Sequence, residues 1–230
     1  LGRAILFLKK SAFTGPGGFQ KGNFPASGGI FLNQAKNAYT EAVKKLQTLS
    51  PEDVVLRSGA ICRKKEGYFA VRYFAREYTV SFSGRVAGPD GSEPPFNDRT
   101  LIVQYLCSAS GLPPRGRWLS FLELPEGSHH YAPFQTDATI PLARRFGRDR
   151  EGFAKAARSL GGTPLPLGDA GFSVPAFPRL PLAVILWEGD EEFEAKTNIL
   201  FDAAAPASLS TAALWVLGVE MARKMLSFKP

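Results

Sequence analysis

Histidine, cysteine and methionine each occur only twice in these 230 residues, and long apolar runs are missing. Each shortage removes a class of function. Cys62 and Cys107 stand 45 positions apart without C-x-x-C spacing, so a disulfide scaffold, a zinc ribbon and a self-contained iron–sulfur cluster all lack a ligand set. Both lie in apolar stretches and read as buried free thiols. The histidines, His129 and His130, are adjacent, with no H-E-x-x-H or His-x-His spacing to build a zinc chelate. The runs Ala4 to Leu8 and Leu182 to Trp187 end in charge well short of the roughly 18 residues that span a bilayer, so a soluble protein that does not span a membrane is expected. A G-x-S-x-G elbow is absent, and the nearest approach to a P-loop, Gly17 to Gly22, is followed by Asn23 rather than Lys.

What is present is an excess of positive charge, and it is unevenly placed. Residues 1–110 carry 15 Lys and Arg against 8 Asp and Glu, whereas residues 111–230 carry 13 of each, so the net +7 belongs to the first half. A field of that sign favours an anionic partner. Nucleic acid is not the expected one: Glu66 to Tyr73, "EGYFAVRY", matches the RNP1 pattern at Gly67, Tyr68, Val71 and Tyr73 but fails at Glu66, Phe69 and Ala70. Alternation there would bury Phe69, Val71 and Tyr73 and expose Arg72. Arg144, Arg145, Arg148 and Arg150 read as a solvated helix face.

Residues 1–32 are rich in Gly and Pro and read as an N-terminal tail, and residues 33–230 as one domain. Asn33 is expected to cap a helix to about Leu49 whose apolar positions Ala35, Tyr39, Ala42, Val43, Leu46 and Leu49 share a face. Ser50 caps a short helix with Pro51 at its first position and Gly59 at its end. Residues 60–84 form two or three antiparallel strands, with a turn at Glu66–Gly67, and "GPDGSE" is a turn. A helix over about 98–109, capped by Asn97 and ended by Gly111, precedes a strand in "RWLSFLEL" and a short extended piece in "SHHYAPF". Helices over about 137–146 and 150–160 follow, the second capped by Asp149. Strands in "AGFSVPAF", "LPLAVILWE" and "TNILFD" lead to a last helix from the Ser210 cap to about Leu226. Without strict βαβ alternation, this order gives an α+β fold, a largely antiparallel sheet packed with helices.

The densest cluster of chemistry lies between two of those strands, where Glu188, Asp190, Glu191, Glu192 and Glu194 fill five of seven positions. As the tip of a hairpin they need no function. A calcium loop is excluded, because Gly189 precedes the acids and Phe193 interrupts them. At the root of the hairpin, Trp187, Glu188, Asp190, Asn198 and Asp202 combine an aromatic platform with acceptors and an amide, and are the candidate ligand-binding set. Glu188 and Asp190 would share a face if the strand runs through Gly189, with Asp202 converging on them. His129 or His130 could supply a lone ligand to a metal or metallo-tetrapyrrole.

"LSPEDVVLRSGA", "FNDRTLIVQYL", "GRWLSFLELP", "LPLAVILWEGDEEFEAKTNILFDAAAP" and "LSTAALWVLG" together resemble, in this order, the family of domain of unknown function DUF3786, over about residues 33–225. That family has no assigned reaction. The resemblance implies a cytoplasmic role near low-potential redox or one-carbon metabolism in anaerobes, with Leu186 to Asp190 and Asn198 to Asp202 as its corresponding segments. The Cys-rich module joined to some members is missing here.

The function expected from the sequence is that of an accessory protein holding an anionic ligand, for example a tetrapyrrole or another redox cofactor, in a sheet-lined pocket near Trp118, Tyr131 and Trp187. A redox or one-carbon protein partner is a further expectation. The rivals are an enzyme using carboxylates of the 188–202 hairpin, and an assembly partner with no small ligand.

Overall fold

The computed structural model describes residues 28–229, with side chains from residue 37 onward. The chain divides into two units at Gln34/Ala35, and both sheets belong to the second, Ala35–Pro230. As far as residue 27, the expected tail lies outside the described residues. Helix α1, Gly28–Thr48, starts five residues earlier than expected and runs through Asn33, which is therefore not its cap. Its buried side is the expected one: Ala42 and Leu46 are enclosed, with Tyr39, Val43 and Leu49 packed beside them.

Helix α2, Pro51–Ser58, shows why local signals succeed. The Ser50 side chain accepts from the Asp53 amide, Pro51 occupies the first turn where no N–H is needed, and Gly59 ends the helix at φ +72°. The chain then forms a four-stranded antiparallel meander: β1 (Ile61–Arg63), β2 (Tyr68–Tyr73), β3 (Arg76–Ser81) and β4 (Val86–Ala87). Phe69, Val71 and Tyr73 are buried and Arg72 is exposed as expected, although Ala70, on the Arg72 face, is buried as well.

Helix α3, Phe96–Ser108, begins at Pro95 without a side-chain cap. Asn97 is not the cap, because its amide donates across the fold to Glu220 Oε1 at 2.7 Å. Next, β5 (Trp118–Ser120) is shorter than the expected strand and turns into a 3₁₀ segment, Phe121–Glu123.

"SHHYAPF" is helical and not extended. Gly127–His130 is a 3₁₀ turn that feeds α4 (Tyr131–Phe134), a π turn over Gln135–Thr139 and α5 (Ile140–Phe146). Helix α6, Arg150–Ser159, is capped by Asp149, whose carboxylate accepts from the Gly152 amide. The strand β6 (Thr163–Leu165), hidden in sequence by Pro164 within it and Pro166 after it, opens a run with β7 (Ala170–Phe177), β8 (Leu180–Trp187) and β9 (Lys196–Asp202). Helix α7, Thr211–Leu226, starts at the Ser210 cap.

The second sheet has the order β5-β9-β8-β7-β6, every pair antiparallel. The fold is α+β. One apolar core joins both sheets to the helices: Leu182, Val184 and Leu186 of β8, with Ile199 and Phe201 of β9, point into it. The two sheets meet at the β2–β3 turn, where Phe74 takes φ +52° and donates its amide to the Ala176 carbonyl at 2.9 Å. A bulge between Pro175 and Phe177 makes room there. Phe177 stacks on Tyr105 with centroids 4.2 Å apart. Such a pair contributes about 0.5–1.5 kcal/mol beyond its buried area.

Candidate functional site

The acidic stretch does connect β8 to β9, as the pattern of two apolar runs implies. Its conformation is set by Asp190, whose Oδ1 accepts from the Glu192 and Phe193 amides at 2.9 and 2.7 Å, while its own amide donates to the Phe193 carbonyl. Asp190 thus organises the loop by the local hydrogen bonding that Asp favours in turns. Glu188, Glu191, Glu192 and Glu194 are exposed or partly so, and Phe193 is exposed at 65%.

Asp202 does not join them. The last pair of the hairpin is Trp187 with Lys196, and Asp202 lies six residues further along β9, about 20 Å away at roughly 3.3 Å per residue. It pairs instead with Trp118 on β5. There its buried carboxylate accepts from the amides of Arg115 (3.0 Å), Gly116 (2.8 Å) and Ala204 (2.8 Å), holding the chain that enters β5 and the chain that leaves β9. The expected convergence of Glu188, Asp190 and Asp202 is therefore overturned by register, because strand length separates them.

Register does bring other expected residues together. Trp187 opposes Lys196, Ile185 opposes Asn198, Ala183 opposes Leu200 and Trp118 opposes Asp202, so Trp118, Trp187, Asn198 and Asp202 share one face of the second sheet. Ala183, Ile185 and Leu200 form a small apolar cluster on that face, with Trp118 and Trp187 half-buried against it. Tyr131 packs against the main core on the opposite side and is not part of that group. Burial raises the pKa of its phenol.

His129 and His130 are both exposed on the 3₁₀ turn. Among the described residues, no three His, Cys, Asp or Glu side chains gather where they could hold a metal ion.

A concave feature lies where the acidic loop faces the α5–α6 turn. There the Gly189 amide donates to the Gly147 carbonyl at 3.2 Å. Beside this contact is a cleft of about 460 Å³, with Arg144, Arg145, Arg148 and Asp149 on one side and Asp190, Glu191, Glu192, Phe193 and Glu194 on the other. Gly147 is what allows the approach, since a β-carbon there would run into that of Ala195. Arg145 is engaged with the Asp149 carboxylate at 3.1 Å, which the Gly152 amide and that guanidinium together hold below the usual carboxylate range. The arginines are exposed, as expected of a solvated face, but no local pattern marks them and the acids as two walls of one cleft. Oppositely charged walls can hold an anion on one side and discriminate by its remaining groups on the other.

A second constellation has no sequence signal. Asp98, at 2% exposure, accepts from Tyr73 Oη and pairs with Lys224 Nζ, both at 2.8 Å, while Glu220 accepts from Asn97 and pairs with Arg223. Tyr73 is fully enclosed, which pushes its phenol well above the ordinary range and keeps it a donor. The group ties β2, α3 and α7 together from inside.

Among curated proteins and among solved structures, no match was found. Among the described residues, no helix is long and apolar enough to cross a membrane. One family model does match, over residues 50–224, well beyond half of the chain. It begins at the Ser50 cap and ends at Lys224, taking in both sheets, the arginine turn, the acidic loop and the Asp98 pair. The chain belongs to the family described as Domain of unknown function (DUF3786).

Proposed function

We propose that this protein is a binding protein for an anionic small molecule, held at the cleft between the α5–α6 turn and the β8–β9 loop. The observation that carries this reading is the cleft itself, with three guanidinium-bearing side chains on one wall and, among the described residues, only one of them paired to a carboxylate in the hydrogen-bond and ion-pair geometry. Arginine forks suit planar carboxylates and phosphates, which can accept two parallel hydrogen bonds.

Support for binding rather than catalysis comes from the carboxylates. Asp202 is committed to backbone amides and Asp190 to its own loop, so the carboxylates expected to converge form no pair poised for acid–base work. The wider reading, a cytoplasmic accessory role near redox or one-carbon metabolism with an anionic cofactor such as a tetrapyrrole, rests on the family resemblance and on charge.

Isothermal titration with citrate and with pyrophosphate, as carboxylate and phosphate probes, tests the site. Saturable binding of either that weakens about tenfold or more in the double variant Arg144→Ala/Arg148→Ala supports the reading. Absence of binding to both, or equal binding by the variant, contradicts it.

A further inference from the structure

The arginine wall accounts for only part of the cleft between the α5–α6 turn and the β8–β9 loop. Three guanidinium groups line that cleft, those of Arg144, Arg145 and Arg148, together with five carboxylates, those of Asp149, Asp190, Glu191, Glu192 and Glu194. Two of the five are committed: Asp149 caps α6 and pairs with Arg145, and Asp190 accepts from the Glu192 and Phe193 amides. Glu191, Glu192 and Glu194 remain, all exposed, and among the described residues no ion pair joins them to Arg144 or Arg148. The cleft thus holds charges of both signs on its two walls without pairing them directly.

That separation has a local cause. The Asp190 hydrogen bonds fix the backbone of residues 191–193, and the Gly189 amide, bound to the Gly147 carbonyl at 3.2 Å, braces the loop against the α5–α6 turn. Walls set in place before a ligand arrives lower the ordering cost of binding it. On the acidic wall Phe193, 65% exposed, adds an aromatic ring, whose face attracts a cation as a carboxylate does. An anion with no other charge meets arginines on one wall and repulsion from the other. A molecule that also carries a cation is attracted by both.

We propose that the ligand of this cleft is a small zwitterion, with a phosphate or carboxylate group at one end and an ammonium group at the other. The inference rests on the anion-binding reading above and adds the second half of the ligand. The anionic group lies against Arg144 and Arg148, and the ammonium group lies against Glu191, Glu192 and the Phe193 ring. The acidic wall is then the specificity element, because it rejects simple anions that the arginines alone would accept.

Isothermal titration of the full chain with 3-aminopropylphosphonate and with propylphosphonate, which differ by one ammonium group, tests the proposal, with pyrophosphate as the reference anion. The aminophosphonate should bind about tenfold or more tighter than propylphosphonate. In Glu191→Gln/Glu192→Gln that preference should vanish while pyrophosphate affinity stays the same or rises, whereas Arg144→Ala/Arg148→Ala should weaken all three probes. Opposite effects of one variant on two probes are not what a general loss of structure produces. A parent protein that binds pyrophosphate but takes the two phosphonates equally overturns the zwitterion and leaves the anion-binding reading standing. A glutamine variant that keeps the preference does the same. Binding of none of the three probes ends both readings.

Discussion

Lys224 Nζ lies 2.8 Å from Asp98 Oδ2, joining the last turn of α7 to the first turn of α3 across 126 positions of sequence. Each charge also suits its place, a carboxylate near a helix N-terminus and an ammonium near a C-terminus. Asp98 is 2% exposed, and the Lys224 ammonium sits 5.2 Å from the Tyr73 ring centroid. Removing one partner strands the other charge. Asp98→Asn should therefore destabilise the fold by about 2–4 kcal/mol, the lower end reflecting the residual access of Lys224 to water. Tyr73→Phe, which removes only a donor, should cost about 1 kcal/mol. Chemical denaturation of both variants measures the difference, and equal losses would mean that the charge pair adds nothing beyond the hydrogen bond.

The contact between the acidic loop and the α5–α6 turn depends on Gly147. Gly147→Ala drives a methyl into Ala195, so the loop must move off the turn or the helix end must shift. The expected loss is about 1–3 kcal/mol, the usual cost of overpacking. Because Gly147 has φ −60°, backbone strain plays no part in that loss. Anion binding should weaken along with stability, since the two walls of the cleft separate. A variant as stable as the parent with unchanged anion affinity would show that the loop is not braced here.

The carboxylates of the 188–202 region should divide sharply by role. Glu191→Ala/Glu192→Ala should stay within about 0.5 kcal/mol of the parent, because both side chains are exposed. Asp202→Ala should cost several times as much, about 2–4 kcal/mol, because it leaves the Arg115, Gly116 and Ala204 amides without their acceptor. Urea denaturation of the two variants side by side decides it. Similar losses in both would contradict the assignment of Asp202 as the anchor of β5.

Burial pushes the Tyr105 phenol from an ordinary 10.0 up to about 12, and Tyr73 shifts in the same direction, raised by enclosure and by the Asp98 carboxylate. With the folded pKa above the unfolded one, the native state keeps a proton that the unfolded chain gives up. The stabilisation is complete below pH 10 and is lost as pH rises from about 10 to about 12. Phenolate absorbance during an alkaline titration should show Tyr73 and Tyr105 ionising only with unfolding. Ionisation of all six tyrosines with one ordinary midpoint would contradict their enclosure.

The sequence is most legible where a signal acts within a few residues. Ser50 with Pro51 and Gly59, the Asp149 cap, the Ser210 cap and the apolar runs of β7, β8 and β9 each set a local geometry and lie where the pattern places them. What fails depends on distant partners. The pairing of Asp202 with Trp118 is set by β5 lying outside β9, and nothing in "TNILFD" encodes it. Asn97 is of a type that suits a cap, yet Glu220 captures its amide. The helical run from Gly127 lacks a side-chain cap and carries Pro133 and a π turn, so no periodic signal marks it. In the site, the common sheet face of Trp118 and Trp187 comes from the pairing of β5 and β8 with β9, and the arginine wall is no more legible, since exposure alone does not reveal a facing loop.

The most direct test of the central claim, that an anion is held at the arginine cleft, is native mass spectrometry of the full chain incubated with pyrophosphate and, separately, with citrate. A single bound anion is expected on the parent protein with either probe or both, with loss of that species in Arg144→Ala/Arg148→Ala while the charge-state distribution stays that of a folded chain. A parent protein that retains neither anion, or a variant that retains the same one at the same occupancy, would contradict it.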